Sequence, residues 1–350
     1  MTKKDRIRAA VNGEQPDRMP YSFWTHMPGI DTDPEKIAEK TYELYKKYDW
    51  DFIKTMNSGM YSIEDFGCKI DASEVLKGGV SKITETPVHC SEDLYKLKEV
   101  SIEEGAYARE LKHLQLVLDK VKEEDVPVIT TVFSPLTTLD KICGKVTVKA
   151  NVGNDNVKDI KVSWLSIYMK ENPDAVKAAL EEITKTTEKY AARVIENGAD
   201  GIFFASQMSS YNQCTLQEYL EFGKEYDLRV IKAADKGWMN TIHCHGDNLI
   251  FEVLKDYPVQ IFNWHAWETL PDVNEAYVMT GKCLMGGINR KDITERKKEK
   301  IQNQIFQCYK EMGGKHQILT PGCVIRYPLD TDMLMYIKNT LREIEEKLER

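Results

Sequence analysis

The sequence lacks the features that define several large classes of protein. No apolar run approaches the roughly 20 residues that cross a bilayer, so we expect no membrane partner. The first 15 residues are charged and contain no apolar stretch, which predicts that no signal peptide is present. The formal net charge is -8 and no basic stripe is present, so we expect no nucleic-acid partner. Together these absences predict a cytoplasmic protein.

The eight cysteines are scattered and form no Cys-x-x-Cys pair. In an intracellular chain this pattern predicts reduced thiols, most of them buried, with one or two available as metal ligands. The chain has 350 residues, of which 42% are hydrophobic. A chain of this length and composition can bury a full core without disulfides.

The chain does contain a regular alternation of short apolar runs and longer helical stretches. That order predicts parallel strands joined by helical crossovers. We predict eight strands, over Met19–Trp24, Phe52–Met56, Val128–Phe133, Gly201–Phe204, Asn240–His243, Val259–Trp264, Cys283–Gly286 and Gln317–Thr320. We predict helices over Asp33–Lys47, Ser101–Lys122, Asn172–Asn197, Thr215–Lys236, Asn248–Lys255, Asp272–Met279, Asp292–Met312 and Asp330–Lys347. The fold class is therefore α/β, a (β/α)8 TIM barrel with an N-terminal extension, in which residues 1–350 form a single domain.

Two regions depart from this alternation. Residues 61–86 are rich in Gly, Ser and Asp, and residues 144–162 alternate like a β-hairpin with a turn at residues 153–156. Long excursions of this kind usually cover or line a site. We expect both to lie over the active-site face, as a lid, as a docking element for a partner, or as structural cover.

Metal-binding residue types follow two of the predicted strands. The active site of a (β/α)8 barrel lies at the carboxyl ends of its strands. His243 ends the fifth predicted strand and His245 lies two residues further on, so in an extended chain their side chains point the same way and Cys244 points away. Cys323 follows the eighth strand in a Pro-Gly-Cys turn. Two imidazoles and a thiolate can hold a catalytic zinc ion with one position open. The predicted metal ligands are therefore His243, His245 and Cys323, with Cys244 as a rival to His245.

Other strand ends carry candidate catalytic and substrate-binding groups. His26 and His265 are predicted catalytic residues, as hydrogen-bond donors or general acids, although each could instead be a hydrogen-bonded structural histidine. The predicted substrate-binding residues are Asn57, Tyr61, Ser206, Gln207 and Trp264. These side chains would suit an aromatic or a small polar molecule.

Several segments resemble the uroporphyrinogen decarboxylase superfamily, which includes corrinoid-dependent methyltransferases. The similar segments are Arg8 to Pro20, Phe133 to Leu139, Glu196 to Gly201, Leu284 to Ile288 and Ile318 to Cys323. They are spread over nearly the whole chain. The resemblance implies a (β/α)8 barrel, in agreement with the alternation.

The two main branches of the superfamily differ at residues that this chain allows us to compare. The decarboxylases hold their polycarboxylate substrate with an arginine-bearing loop, but here no arginine occurs between Arg18 and Arg109. The methyltransferases carry His-x-Cys-Gly and Pro-Gly-Cys motifs that bind zinc. This chain matches them at His243 and Cys323 and has His245 in place of a cysteine. Exchanging a thiolate for a neutral imidazole would make the metal a stronger Lewis acid.

The resemblance therefore implies a zinc-dependent methyltransferase. It would move a methyl group between a small methylated substrate, with a methyl ether favoured, and the cobalt of a corrinoid carried by a separate protein. The opposite direction, from methylcobalt to a thiol, stays open. The alternatives are a decarboxylase that acts on a tetrapyrrole or another small acid, and a non-catalytic binding protein built on the same barrel.

Overall fold

The protein is built around a curled parallel sheet of seven strands. In the computed structural model, which describes residues 1–77, 81–151 and 157–348, the strands of this sheet follow the order β1-β4-β7-β8-β9-β10-β11. Their bounds are β1 Ile53–Lys54, β4 Val128–Phe133, β7 Gly201–Ser206, β8 Thr241–Cys244, β9 Ile261–Trp264, β10 Cys283–Ile288 and β11 Gln317–Pro321. All six neighbouring pairs are parallel. The predicted α/β class with a parallel sheet is thus confirmed, and seven of the eight predicted strands are present.

The first predicted strand, residues 19–24, is not a regular strand. The segment forms single parallel bridges from Tyr21 to Leu319 and from Thr25 to Ile325. On its other side, the N–H of Asp51 donates to the carbonyl of Tyr21 at 2.9 Å. No ladder forms because Pro20 has no N–H and the N–H of Tyr21 donates to the Asp51 carboxylate, also at 2.9 Å. The segment therefore lies between the two edge strands without extending the sheet.

The helices lie between these strands and at the two ends of the chain. Their bounds are α1 Lys3–Asn12, α2 Pro34–Tyr48, α3 Tyr61–Glu64, α4 Gly105–Val121, α5 Pro135–Cys143, α6 Trp164–Glu171, α7 Pro173–Glu196, α8 Leu216–Tyr219, α9 Glu225–Ala233, α10 Phe251–Leu254, α11 Val273–Thr280, α12 Arg290–Thr294, α13 Lys298–Met312 and α14 Thr331–Leu348. A short π-helical stretch, Leu220–Lys224, joins α8 to α9. No described helix is both long and apolar enough to cross a membrane.

The helix predictions need two kinds of correction. The sequence analysis missed α1, α3, α5 and α6. Helix α5 begins immediately after β4, where the Ser134 hydroxyl accepts from the N–H of Thr137 and Pro135 occupies the first turn. The helix predicted over residues 292–312 is interrupted between α12 and α13, where Arg296 adopts a left-handed conformation with φ of 56°.

Both predicted excursions contain a two-stranded antiparallel hairpin. The first pairs β2 Lys69–Asp71 with β3 Lys82–Glu85, and the second pairs β5 Lys145–Asn151 with β6 Val157–Ser163. The predicted turn at residues 153–156 lies outside the described residues.

The side chains of the sheet alternate between an inner and an outer core. Ile129, Phe203 and Met285 belong to an inner cluster that also includes Ile7 of α1. The residues next to them along the strands, such as Phe204, belong to the larger outer cluster that packs under the helices. This period of two decides which residues at the strand ends face the interior of the curled sheet.

Candidate active site

Four side chains of the types that can bind a metal ion meet at the carboxyl ends of three strands, and we call them the metal-binding group. His243 lies in β8, His245 follows it by two residues, His265 comes directly after β9, and Cys323 lies two residues after β11. One ligand atom from each of these four residues lies within 4.8 Å of the other three. The Cys323 Sγ is 3.7 Å from the His245 Nδ1. The structure therefore brings together the three residues that the sequence singled out as metal ligands, and adds His265 to them.

A buried amide fixes the orientation of His243. In the sheet register His243 lies opposite Asn263 of β9, which lies opposite Met285 of β10. The Asn263 Nδ2 donates to the Met285 carbonyl at 2.6 Å, so its Oδ1 faces the His243 Nδ1 at 2.5 Å. Because this oxygen only accepts, the proton of His243 is on Nδ1 and the lone pair is on Nε2. A hydrogen bond of this kind positions a metal-binding imidazole and raises its basicity.

A glycine allows the segment after β11 to approach the segment after β9. A Cβ atom at Gly322 would lie 2.6 Å from the carbonyl oxygen of Trp264 and 2.9 Å from the Cα of His265. The N–H of Gly322 donates to the carbonyl of Ile288 at 3.2 Å, which anchors the turn to β10. The close approach places Cys323 beside His265.

The imidazoles of the group are held in their neutral form. Burial lowers the pKa of His265 to about 3, with further lowering by Arg290. Burial and the neighbouring His265 lower the pKa of His245 to about 3, and burial lowers the pKa of His243 well below its ordinary value. Burial also raises the pKa of the Cys323 thiol, against the opposing effect of Arg290. Neutral imidazoles have the lone pairs that a metal ion requires.

Three members of the group, His243, His245 and Cys323, line a cavity with a volume of about 300 Å³. Apolar side chains, among them Trp24, Phe133 and Phe203, line much of the remainder. Two lysines, Lys54 and Lys141, also border it. Among the described residues, no arginine lines this cavity. It is concave and largely apolar with a few convergent polar groups, as small-molecule sites usually are.

Three of the other predicted site residues also border the cavity. His26, Asn57 and Gln207 line the cavity. Burial lowers the pKa of His26 to about 4, so its imidazole is neutral near pH 7. The Asn57 amide is already bound to the fold, because its Nδ2 donates to the Glu110 Oε2 at 2.8 Å and its Oδ1 accepts from the N–H of Thr131 at 3.2 Å.

Three predicted substrate-binding residues lie outside the cavity lining. Ser206 and Trp264 occupy the strand positions that alternate toward the helices, and the Trp264 indole donates to the carbonyl of Pro271 at 3.0 Å. Tyr61 lies behind the wall, and its hydroxyl donates to the carbonyl of Thr131 at 2.8 Å. Cys244 alternates outward in the same way, belongs to the outer core and is not in the metal-binding group of the described chain.

Two kinds of functional candidate were missed at the sequence level. Asn263 carried no signal of its own, because its role depends on the register between β8 and β9. Lys54 did carry one: it is a charged residue inside the apolar run of residues 52–56, where a buried strand would be expected to have none.

Two known proteins with similar sequences are both methyltransferases. Two curated proteins, both named methylcobamide:CoM methyltransferase MtbA, are similar in sequence. The protein from Methanosarcina mazei is 25% identical over 249 residues, and that from Methanosarcina acetivorans is 24% identical over 246 residues. Each alignment covers 66% of this chain and 66% of the relative. The names agree with the enzyme class that the sequence predicts.

Solved structures share the fold. A methyltransferase from Methanosarcina mazei aligns over 100% of both chains with a TM-score of 0.77 and 18% identity. A B12-independent methionine synthase from Shewanella sp. W3-18-1 aligns over 96% of this chain and 95% of its own, with a TM-score of 0.57 and 13% identity. The sequence model of the uroporphyrinogen decarboxylase (URO-D) family matches residues 2–344. The chain therefore belongs to the URO-D family, as its sequence segments predicted.

Proposed function

We propose that this protein is a zinc-dependent methyltransferase that moves a methyl group between a small methylated substrate, with a methyl ether favoured, and the cobalt of a corrinoid protein. One observation carries the proposal: the Cys323 thiol and the neutral imidazoles of His243 and His245 line a cavity large enough for a small molecule, and His265 lies beside them. The methyltransferase names of the sequence relatives support the reaction class.

The residues present fit a zinc ion. His243, His245 and Cys323 would hold it, and the Nε2 of His265, which is buried without a hydrogen-bond partner in the described structure, would face the fourth position. Nitrogen and sulfur ligands in a group of this size are those that zinc prefers. When bound, zinc supplies a Lewis acid that withdraws electron density from the substrate heteroatom. A centre with one thiolate suits an ether oxygen better than a centre with two.

The chain's own residues would orient the substrate and exclude water. In the favoured direction the carbon–oxygen bond of the ether would break with its electron pair left on the oxygen, and cobalt(I) of the partner's corrinoid would supply the electron pair of the new bond to the methyl group. His26, which lines the cavity, and His265, which lies beside His245 and Cys323, would donate hydrogen bonds to a substrate oxygen. The apolar rings of Trp24, Phe133 and Phe203 would surround the remainder of the substrate.

The corrinoid protein would dock over the cavity mouth. A corrinoid is too large for a cavity of about 300 Å³, so it would have to present its cobalt from outside. We also propose that residues 19–25 complete a (β/α)8 barrel in place of an eighth strand, with the chain as a single domain, because this segment bonds to Asp51, just before β1, and to Leu319 of β11.

A decarboxylase is the second candidate, because the family is named for that activity. A porphyrinogen carries several carboxylates, and arginine forks are the usual means of binding them. No arginine lines the cavity in the described part of the chain. The group of histidines and cysteine would also have no function in such a reaction.

The test combines metal analysis with a methyl-transfer assay. The protein is expressed with zinc, and methyl transfer from methoxybenzenes, methylamines and methylthiols to cob(I)alamin is followed by the absorbance of methylcobalamin. The reverse reaction, from methylcobalamin to thiols, is run in parallel. We expect one zinc ion per chain, retained in Cys244→Ala and lost in Cys323→Ala and His243→Ala together with activity. Full activity without bound metal would refute the proposal.

A further inference from the structure

Two lysines of the cavity have no part in the metal-binding group. Lys54 is the second residue of β1, and Lys141 lies on α5. Both border the cavity that His243 and Cys323 also line. Since Lys54 is only 5% exposed, its ammonium is held inside the protein rather than in solvent.

Neither ammonium forms an ion pair with a described carboxylate. The Lys54 Nζ donates to the Thr131 hydroxyl at 2.8 Å and to the Thr55 carbonyl at 3.3 Å. The Lys141 Nζ donates to the Gly59 carbonyl at 3.0 Å. Among the described residues, no carboxylate lies within 4.0 Å of either group; the ion pair formed near Lys141 joins other side chains, Lys145 and Asp140.

An aromatic ring lies close to each lysine. The Lys54 Nζ lies 4.7 Å from the ring centre of Phe203, and the Lys141 Nζ lies 3.7 Å from that of Phe133. Burial lowers the pKa of Lys54 and that of Lys141 to about 7 each. A buried ammonium without a counter-charge is unfavourable, so an anion that entered the cavity would stabilise both.

Cys323 and Glu110 act on Lys54, and Asp140 acts on Lys141, through space and without an ion pair, and their effect is smaller than that of burial. Asp31 is the one carboxylate among the described lining residues, and burial raises its pKa. The imidazoles are neutral. The cavity therefore favours a negatively charged ligand group and disfavours a cation.

We propose that Lys54 and Lys141 form a subsite that binds an anionic group of the substrate, a carboxylate or a sulfonate, and so select anionic methylated compounds over neutral and cationic ones. The selection of methyl donors rests on the proposed function, whereas the binding of the anion does not. Because the cavity is small, the anion and the methyl group would belong to one compact molecule.

Calorimetric titration of the zinc-loaded protein with benzoate and with benzenesulfonate tests the subsite without turnover. Hydrogen bonds to charged groups predict that Lys54→Met and Lys141→Met each weaken binding about 10- to 100-fold. The matched control is Lys282→Met, because this ammonium also donates to a carbonyl, that of Lys255 at 2.7 Å, but lies outside the cavity lining. Binding that is equal in the wild type and both cavity variants would overturn the inference.

A second test compares a series of substrates on the wild-type protein, so its result does not depend on whether a variant folds. Methyl transfer to cob(I)alamin is compared for 3-methoxybenzoate, 2-methoxyethanesulfonate, methoxybenzene and 3-methoxybenzylamine. We expect kcat/KM for at least one anion to exceed that of methoxybenzene by about 10-fold or more, with the amine slowest. The better anion identifies the group that the lysines bind.

The two possible failures are distinguishable. Equal turnover of the neutral and anionic ethers would refute the anion subsite and leave the methyltransferase proposal standing. Lysine-dependent binding of the anions, without methyl transfer from any compound in either direction, would support the subsite and refute the proposed function.

Discussion

Replacing Asn263 with alanine removes the hydrogen bond that orients His243. The substitution removes the partner of the buried His243 Nδ1–H and a side-chain donor to the buried Met285 carbonyl. Each unsatisfied buried group costs about 1–3 kcal/mol of the free energy of unfolding. Loss of such an outer hydrogen bond typically weakens metal binding about 10- to 100-fold. We therefore expect both lower stability and lower zinc affinity.

The matched control is Asn240→Ala, at the amino end of β8. Asn240 is 1% exposed and Asn263 is 0% exposed. The Asn240 amide donates to the carbonyls of Ala234 and Gly237 at 2.8 and 3.1 Å and accepts from the N–H of Ile202 at 3.0 Å. This variant should also lose stability but keep its zinc affinity, because the lost bonds are far from the metal-binding group.

Zinc affinity is measured by competition with a chelator of known affinity, and stability by urea unfolding of the zinc-free proteins. A third variant, Asn263→Asp, keeps an acceptor for His243 and adds negative charge, so its zinc affinity should be equal to or above that of the wild type. If Asn263→Ala and Asn240→Ala bound zinc equally well, the argument that Asn263 positions a metal ligand would be wrong.

Three further predictions concern packing and charge. Gly322→Ala should reduce zinc content and cost about 1–3 kcal/mol of stability, because its Cβ would lie 2.6 Å from the Trp264 carbonyl; unchanged zinc content would contradict this. Burial raises the pKa of Asp227 to about 7, above its unfolded value of about 3.9. The folded state therefore holds a proton that the unfolded state releases, and stability should fall by up to about 4 kcal/mol as the pH rises from 4 to 7. Urea unfolding should show that Asp227→Asn lacks this slope. Asp51→Ala should cost about 3–5 kcal/mol in thermal unfolding, because the buried carboxylate accepts from two arginines; a loss below about 1 kcal/mol would contradict this.

The parallel sheet could be predicted because buried strands leave a direct trace in the sequence. The run Val128–Phe133 was predicted with the bounds that the structure has. The segment of residues 19–24 has the same apolar character, but its pairing depends on Pro20, which lacks a donor, and on Asp51, which takes the N–H of Tyr21. That competition involves a residue 30 positions away, which no local pattern reveals.

The candidate site could be predicted in part for the same reason. The spacing of His243 and His245 is local, so the sequence alone put both on one side of a strand end. The strand order then placed Cys323 near them. The approach of His265 depends on the missing side chain of Gly322, and the contribution of Asn263 depends on register. Neither can be read from spacing along the chain.

The substrate-binding predictions show where reasoning from strand ends fails. Ser206 and Trp264 were chosen because polar and aromatic residues end a strand, without regard to the alternation that turns both toward the helices. The same alternation identifies Gln207 and His265 as inward-facing. Counting alternate residues along each strand from one of known orientation, such as His243, would have separated the inward-facing residues from the outward-facing ones.

X-ray absorption at the zinc edge of the wild-type protein tests the central claim most directly. The account predicts one sulfur ligand at about 2.3 Å and the remaining nitrogen or oxygen ligands at about 2.0–2.1 Å. It also predicts that Cys244→Ala leaves this spectrum unchanged and that Cys323→Ala removes the sulfur contribution. Two sulfur ligands in the wild type, or a sulfur contribution that depends on Cys244, would contradict it.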